Sequence, residues 1–272
     1  MHESLRPLAL WVLHKSGLIE SRFRKIEREL AEGPEEPVDD GRPMPPTDLR
    51  VLVSGASSQR WFSERGQADA TRFSALAARH DGDLASGLTV LDFGCGCGRI
   101  ARWLAPVVTA GRGAFHGSDY NPRLVDWCEA NLDGRYGVNR LKPPLRLDSA
   151  AFDLVYAYSV LTHLREGVAR DWLGELARVL KPGGLALVTF HDETYAETCG
   201  PEGLAERLAQ SPYVVLNDSL QGSNYMSAWT TRAHFTQMAS AWFEVLEIEP
   251  TDVAARNHPV AVLRARGRRT PS

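Results

Sequence analysis

The segment best suited to chemistry is Leu91-Asp-Phe-Gly-Cys-Gly-Cys-Gly98, an apolar run that breaks into alternating glycines. Glycines there let the backbone turn tightly and approach a ligand closely. At the carboxyl end of a parallel strand, that is where open α/β sheets bind cofactors. Dinucleotide sites usually read G-x-G-x-x-G, because a pyrophosphate must sit on a helix N-terminus. Here the glycines are Gly94, Gly96 and Gly98, so the third falls one place early. Asp92, immediately before the loop, disfavours an anion and suits a cation. The charge logic points to S-adenosylmethionine, which has no phosphate and carries an ammonium and a sulfonium. A second acid, Asp119 in Phe115-His-Gly-Ser-Asp-Tyr120, is placed to accept hydrogen bonds from both ribose hydroxyls, with Tyr120 covering adenine. The alternative for Asp119 is a cap on the helix that begins near Pro122.

Transfer of a methyl group from such a cation is an in-line displacement, in which alignment and exclusion of water do much of the work. An oxygen or nitrogen nucleophile also needs a base with a pKa near operating pH, a task suited to histidine. His163 is the first candidate, as base or substrate contact, with helix capping or packing as the alternative. His191, followed by Asp192 and Glu193, is the second, as a base steered by a carboxylate, against simple loop solvation. His234 opens a helix and is a candidate substrate contact. Tyr225 and Asn224 lie in a polar loop suited to a substrate lid. Cys95 and Cys97 are too close together for a zinc pair, and Cys128 and Cys199 supply no second one. No metal is expected, although His163, His191 and nearby acids are the place for a divalent ion if one binds. Trp103, Trp127, Trp172, Trp229 and Trp242 are expected in the core.

The elements that must position these residues read as alternating strands and helices. Strands are expected at Leu88–Phe93, Ala114–Ser118, Tyr136–Leu141, Phe152–Tyr158, Leu185–Phe190, Phe243–Ile248 and Pro259–Leu263. Helices are expected at Arg99–Leu104, ending near Pro106, and at Pro122–Leu132, with proline just inside the start. Glu166–Leu180 carries apolar residues at helical spacing and is stopped by Lys181-Pro-Gly-Gly184. Thr231–Trp242 is a further helix. The pattern predicts an α/β fold: a mainly parallel Rossmann-like sheet with helices on both faces. Residues 1–31 read as a helical appendage, 32–47 as a proline-rich acidic linker, 48–265 as the main domain and 266–272 as a basic tail.

A formal charge of −3 gives no electrostatic reason to expect nucleic acid. Four cysteines at irregular spacing form no disulfide framework, which favours a reducing, cytoplasmic setting. The apolar run Leu8–Leu13 is far short of the roughly 20 residues needed to cross a bilayer, so no transmembrane segment is expected. The N-terminal helix is the expected contact for any partner or second copy.

Four segments in order resemble the class I S-adenosylmethionine-dependent methyltransferases. Val90-Leu-Asp-Phe-Gly-Cys-Gly-Cys-Gly-Arg99 is similar to their first motif and Ser118-Asp-Tyr-Asn-Pro122 to their second. Phe152 to Leu164 resembles their fourth, and Arg178-Val-Leu-Lys-Pro-Gly-Gly184 the turn before their fifth strand. The resemblance implies seven strands, the last two forming a reversed C-terminal hairpin. It implies that Asp92 and the backbone of Gly94, Cys95, Gly96 and Gly98 hold the methionine portion, Asp119 the ribose and Tyr120 the adenine. It further implies Asn139 or Arg140 at the adenine edge, Tyr158 and Ser159 lining the methyl-donor pocket, and Phe62 and Gly66 folding over the cofactor. The implied partner is a small-molecule methyl acceptor, oxygen before nitrogen: a sugar, a natural product or a lipid-like acid. Tyr156-Ala-Tyr-Ser159 is not the Asn/Asp-Pro-Pro-Tyr signature of base or glutamine methylation. The alternatives are a cofactor-binding scaffold subunit and a nicotinamide-dependent oxidoreductase, the latter disfavoured by the glycine spacing and Asp92.

Overall fold

The computed structural model describes residues 37–223, 225–255 and 257–267. The expected N-terminal helix, the first part of the linker and Asn224 lie outside the described residues. Strands β1 (Thr89–Phe93), β2 (Ala114–Asp119), β3 (Arg135–Val138), β4 (Phe152–Ala157), β5 (Leu180–Thr189), β8 (Phe243–Glu249) and β9 (Val260–Ala265) form one sheet. Its order is β3-β2-β1-β4-β5-β9-β8, with β9 antiparallel to both neighbours. This is the expected seven-stranded sheet with its reversed hairpin. The order reverses at β1, between β2 and β4, which is where a doubly wound sheet opens a crevice for a ligand.

Burial on both faces explains the continuous apolar reading of the central strands. On one side, Leu91, Phe93, Phe152 and Val188 pack with Trp172 and Leu176 of the helix Glu166–Val179, here α5. On the other, Val90, Leu154, Tyr156 and Leu187 pack with Phe73 and Leu76 of α2 (Gln59–Ala78) and Leu104 of α3 (Ala101–Ala110). Asp92 and Tyr158 therefore face α2 and α3.

Two expected boundaries are corrected. The helix expected to end near Pro106 continues to Ala110 with the proline inside it. Burial of Leu104, Ala105 and Val108 outweighs the roughly 3 kcal/mol that an interior proline costs. The fifth strand begins at Leu180, before Lys-Pro-Gly-Gly: Leu180 pairs with Phe152, and a bulge carries the pairing on to Leu154 with Leu185. Asp153 pins that bulge by pairing with Lys181 Nζ at 2.8 Å and accepting from Thr89 N–H at 2.9 Å.

Two segments flank the motif-bearing strands. Helix α1 (Thr47–Ser54) precedes α2, and ahead of it Asp40 pairs with buried Arg102 at 2.7 Å, tying the chain before α1 to the domain. Residues 193–230 form a cap: α6 (Glu193–Cys199), α7 (Leu204–Gln210) and the antiparallel hairpin β6 (Tyr213–Leu216) with β7 (Ser227–Thr230). Ala196, Leu204, Leu208, Val214 and Trp229 give it a small core of its own. Helices α4 (Pro122–Asn131) and α8 (Arg232–Ala239) complete the order. No helix among the described residues is long and apolar enough to cross a membrane.

Candidate cofactor and acceptor site

Beyond β1, Gly94, Gly96 and Gly98 take φ values of 78, 55 and 76°, the left-handed region that side chains rarely enter. The N–H groups of Gly94 and Cys95 both donate to the Ser118 carbonyl, at 2.7 and 3.0 Å, which ties the loop to the end of β2. The thiols of Cys95 and Cys128 meet the Gly96 carbonyl at 3.6 and 3.4 Å, so these cysteines fill the loop. A Cβ built on Gly94 would stand 2.2 Å from Val160 Cγ2. The segment that follows β4 therefore rides directly on the glycine loop.

Asp119 ends β2 with its carboxylate oriented by two backbone donors, Gly96 N–H at 3.0 Å and Asn121 N–H at 2.9 Å. The cap of α4 is Asn121, whose side chain accepts from Arg123 N–H, so Asp119 is not needed for that task. Asn139 donates its N–H to the Asp119 carbonyl at 2.9 Å, and its buried Oδ1 has no hydrogen-bond partner. Tyr120 keeps 47% of its surface exposed beside them. An oriented carboxylate, an orphaned amide oxygen and an open aromatic face fit an adenosine. Asp92 is buried and accepts from the Tyr156 hydroxyl at 2.8 Å. Burial pushes its carboxyl up to about 7, with the Asp119 charge adding to the shift and the Tyr156 bond and Arg99 opposing it.

Two expected cofactor residues are corrected. Phe62 is wholly buried with Leu49, Cys97 and Leu124, and it has no surface left for a ligand. Gly66 serves helix packing: a Cβ there would lie 2.4 Å from the Arg99 carbonyl, so glycine lets α2 approach the start of α3. Next to it, Asp69 and Arg99 form a buried ion pair at 2.7 Å.

The rim beyond β4 and β5 gathers the other candidates. Ser159 sits at φ 58°, its N–H held by Thr189 Oγ1 at 2.6 Å, a strained conformation of a kind that clusters at functional sites. His163 Nδ1 lies 2.6 Å from the Met226 carbonyl, and its Nε2 is 3.4 Å from Ser159 Oγ. A carbonyl can only accept, so Nδ1 carries the proton and Nε2 the lone pair. His191 Nδ1 faces the Ala228 carbonyl at 3.2 Å in the same way. Both histidines thus join the rim to the cap.

The carboxylates expected to steer His191 have other partners. Asp192 pairs with Arg232 and caps α6, and Glu193 accepts from Arg232 N–H. His234 bonds Glu166 Oε1 at 2.9 Å, linking α8 to α5, which engages the ring expected to touch substrate. Tyr225 lies half-buried in the cap, its carbonyl accepting from Asn217. No group of three or more residues suited to a metal occurs among the described residues.

Sequence reasoning missed His258, which precedes β9 and stacks on Tyr158 at 5.3 Å. No motif marks it. It reaches the rim only because β9 runs antiparallel beside β5.

Residues 90–184 match the methyltransferase domain family. The fold is shared with an S-adenosylmethionine-dependent methyltransferase from Mesorhizobium loti at 18% identity and TM-score 0.53, covering 70% of this chain and 97% of that one. It is shared with 1,6-didemethyltoxoflavin-N1-methyltransferase from Burkholderia thailandensis, bound to 1,6-didemethyltoxoflavin and S-adenosylhomocysteine (15%, TM-score 0.53, covering 77% and 82%). A third is magnesium protoporphyrin IX methyltransferase from Synechocystis with bound S-adenosylmethionine (16%, TM-score 0.52, covering 81% and 90%). Residues 90–184 thus match a methyltransferase domain model, and the sheet that carries them has the fold of S-adenosylmethionine-dependent methyltransferases.

Proposed function

We propose that the protein methylates an oxygen atom of a small-molecule acceptor bound over the ends of β4 and β5, beneath the 193–230 cap. The observation that carries this reading is His163. It lies three residues beyond Val160, which packs on Gly94, and its tautomer is fixed by the Met226 carbonyl so that Nε2 presents a lone pair. When bound, S-adenosylmethionine supplies an electrophilic methyl group on a positively charged sulfur. The chain's own residues do the rest. Asp119, Asn139 and Tyr120 hold the adenosine end, while Asp92 provides negative potential beneath the loop. Ser159 and Tyr158 line the space beyond β4. His163 Nε2 would take the proton of the acceptor's hydroxyl, leaving its oxygen free to accept the methyl group that the cofactor would supply.

A small-molecule acceptor is supported by the 193–230 cap, which bonds the rim through His163 and His191. Two fold neighbours are named for small molecules, 1,6-didemethyltoxoflavin and magnesium protoporphyrin IX. The test is a screen of hydroxylated small molecules that follows release of S-adenosylhomocysteine, with His163→Ala as control. Turnover that His163→Ala abolishes, with cofactor affinity retained, supports the assignment. Cofactor binding without turnover on any acceptor would favour a scaffold subunit instead.

A further inference from the structure

We propose that the acceptor is planar and anionic: its ring lies against the part-exposed rings of Tyr158 and His258, which His191 and Trp229 back from within, and its anionic group is held by Arg65. This rests on the methyltransferase reading and names its substrate class.

The wall is continuous. Tyr158 and His258 stack at 5.3 Å and 16° between planes. His191 meets His258 edge-on at 4.6 Å and Trp229 at 4.3 Å. Tyr158 and His258 keep part of their surface, whereas His191 and Trp229 are buried. Flat aromatic surfaces of this kind favour a flat ligand through offset and edge-on contacts. Two polar atoms in the wall, Trp229 Nε1 and His258 Nδ1, are buried with no hydrogen-bond partner. Such groups cost roughly 1–3 kcal/mol each when left unmade, and of the two only His258 belongs to a ring with exposed surface that a polar substituent can approach. His258 itself stays neutral, because burial drives its pKa down to about 3.

The charge of this corner is unbalanced. Arg65, Asp69 and Arg72 lie at i, i+4 and i+7 on one face of α2, the spacing that aligns side chains along a helix. Asp69 is taken by Arg99, whose guanidinium also lies 4.6 Å over the Tyr158 ring. Arg72 pairs with Glu249 and donates to the His258 carbonyl at 2.8 Å. Arg65 has no carboxylate partner among the described residues, and its charge acts on both Tyr158 and His258. Arg65 is thus a positive charge beside the wall with no carboxylate paired to it among the described residues. A cationic acceptor is repelled there and an anionic one is held.

The experiment uses the full chain loaded with S-adenosylhomocysteine. The probes are 4-hydroxybenzoate, salicylate and 4-hydroxycinnamate, each paired with its uncharged amide, and binding is read by calorimetry. At least one acid is expected to bind about tenfold tighter than its amide, the scale of a charge-assisted hydrogen bond. Arg65→Gln should erase that ratio and leave affinity for S-adenosylhomocysteine unchanged. Amides binding as well as acids, or no binding of any acid to the loaded protein, overturns the proposal while the cofactor reading stands. Arg65→Gln weakening S-adenosylhomocysteine instead assigns the charge to the cofactor's carboxylate and also overturns it. Failure of S-adenosylhomocysteine itself to bind removes both readings.

Discussion

Affinity for S-adenosylmethionine should rise with pH through neutrality, and Asp92 should be the cause. Its carboxyl is buried beneath the glycine loop, bonded to Tyr156 and raised to about 7. In the unfolded chain the same group titrates near 3.9. The folded, cofactor-free protein therefore holds a proton that the unfolded chain gives up. This group's contribution to stability is fully present below about pH 4 and is lost as pH rises through about 7. The cofactor reverses the preference, because its sulfonium and ammonium favour the ionised carboxylate. With a pKa near 7, the ionised fraction is roughly 0.03 at pH 5.5 and 0.5 at pH 7, so affinity should rise about fifteenfold over that interval. The assay is calorimetric titration with S-adenosylmethionine at half-unit steps from pH 5.5 to 7, below the range where the cofactor's amino group loses its proton. Asp92→Asn keeps a partner for the Tyr156 hydroxyl and removes the titration, so its affinity should be nearly flat. A flat wild-type curve, or a slope that survives in Asp92→Asn, would refute the role; surviving slope would pass the titration to a histidine, whose ordinary pKa is near 6.5.

Asp119→Ala removes the carboxylate oriented by Gly96 and Asn121. Loss of two charge-assisted hydrogen bonds of about 1.5–3 kcal/mol each should weaken S-adenosylhomocysteine at least a hundredfold, with the fold intact by circular dichroism; retained affinity removes Asp119 from the ribose. His163→Ala should lower turnover by about 10²–10⁴ with little change in cofactor affinity, and unchanged turnover disposes of the base. Asp69→Asn strands the buried Arg99 and should cost about 3–5 kcal/mol in urea unfolding, since a broken buried pair leaves an uncompensated charge. A loss below 1 kcal/mol would mean that water reaches Arg99.

The glycine loop and the strand-end acids were legible because their constraints are local. Glycines at 94, 96 and 98 announce positive φ, and acids at the ends of two successive strands announce their own position at the rim. Asn139 or Arg140 was reached through family resemblance alone, and the buried Oδ1 of Asn139 has no hydrogen-bond partner. The aromatic cluster at the rim was legible only in part: His191 was a candidate, Trp229 was expected in the core and His258 carried no motif. His191, Trp229 and His258 come from three separate segments, brought together by the antiparallel β9 and by a cap whose strands are four residues each. Short elements of this kind leave almost no periodic trace. Phe62 and Gly66 were misread because an aromatic and a glycine on a preceding helix suit packing as well as they suit a ligand. Burial decides between those uses, and a single sequence does not display it.

The most direct test of the cofactor site is titration of the full chain with S-adenosylmethionine and S-adenosylhomocysteine, with NAD as control. The expected result is micromolar binding of both sulfur ligands at one site per chain, weakened by Asp119→Ala, and no binding of NAD. Absence of binding by both sulfur ligands, or a preference for NAD, would contradict the assignment of the glycine loop and Asp119.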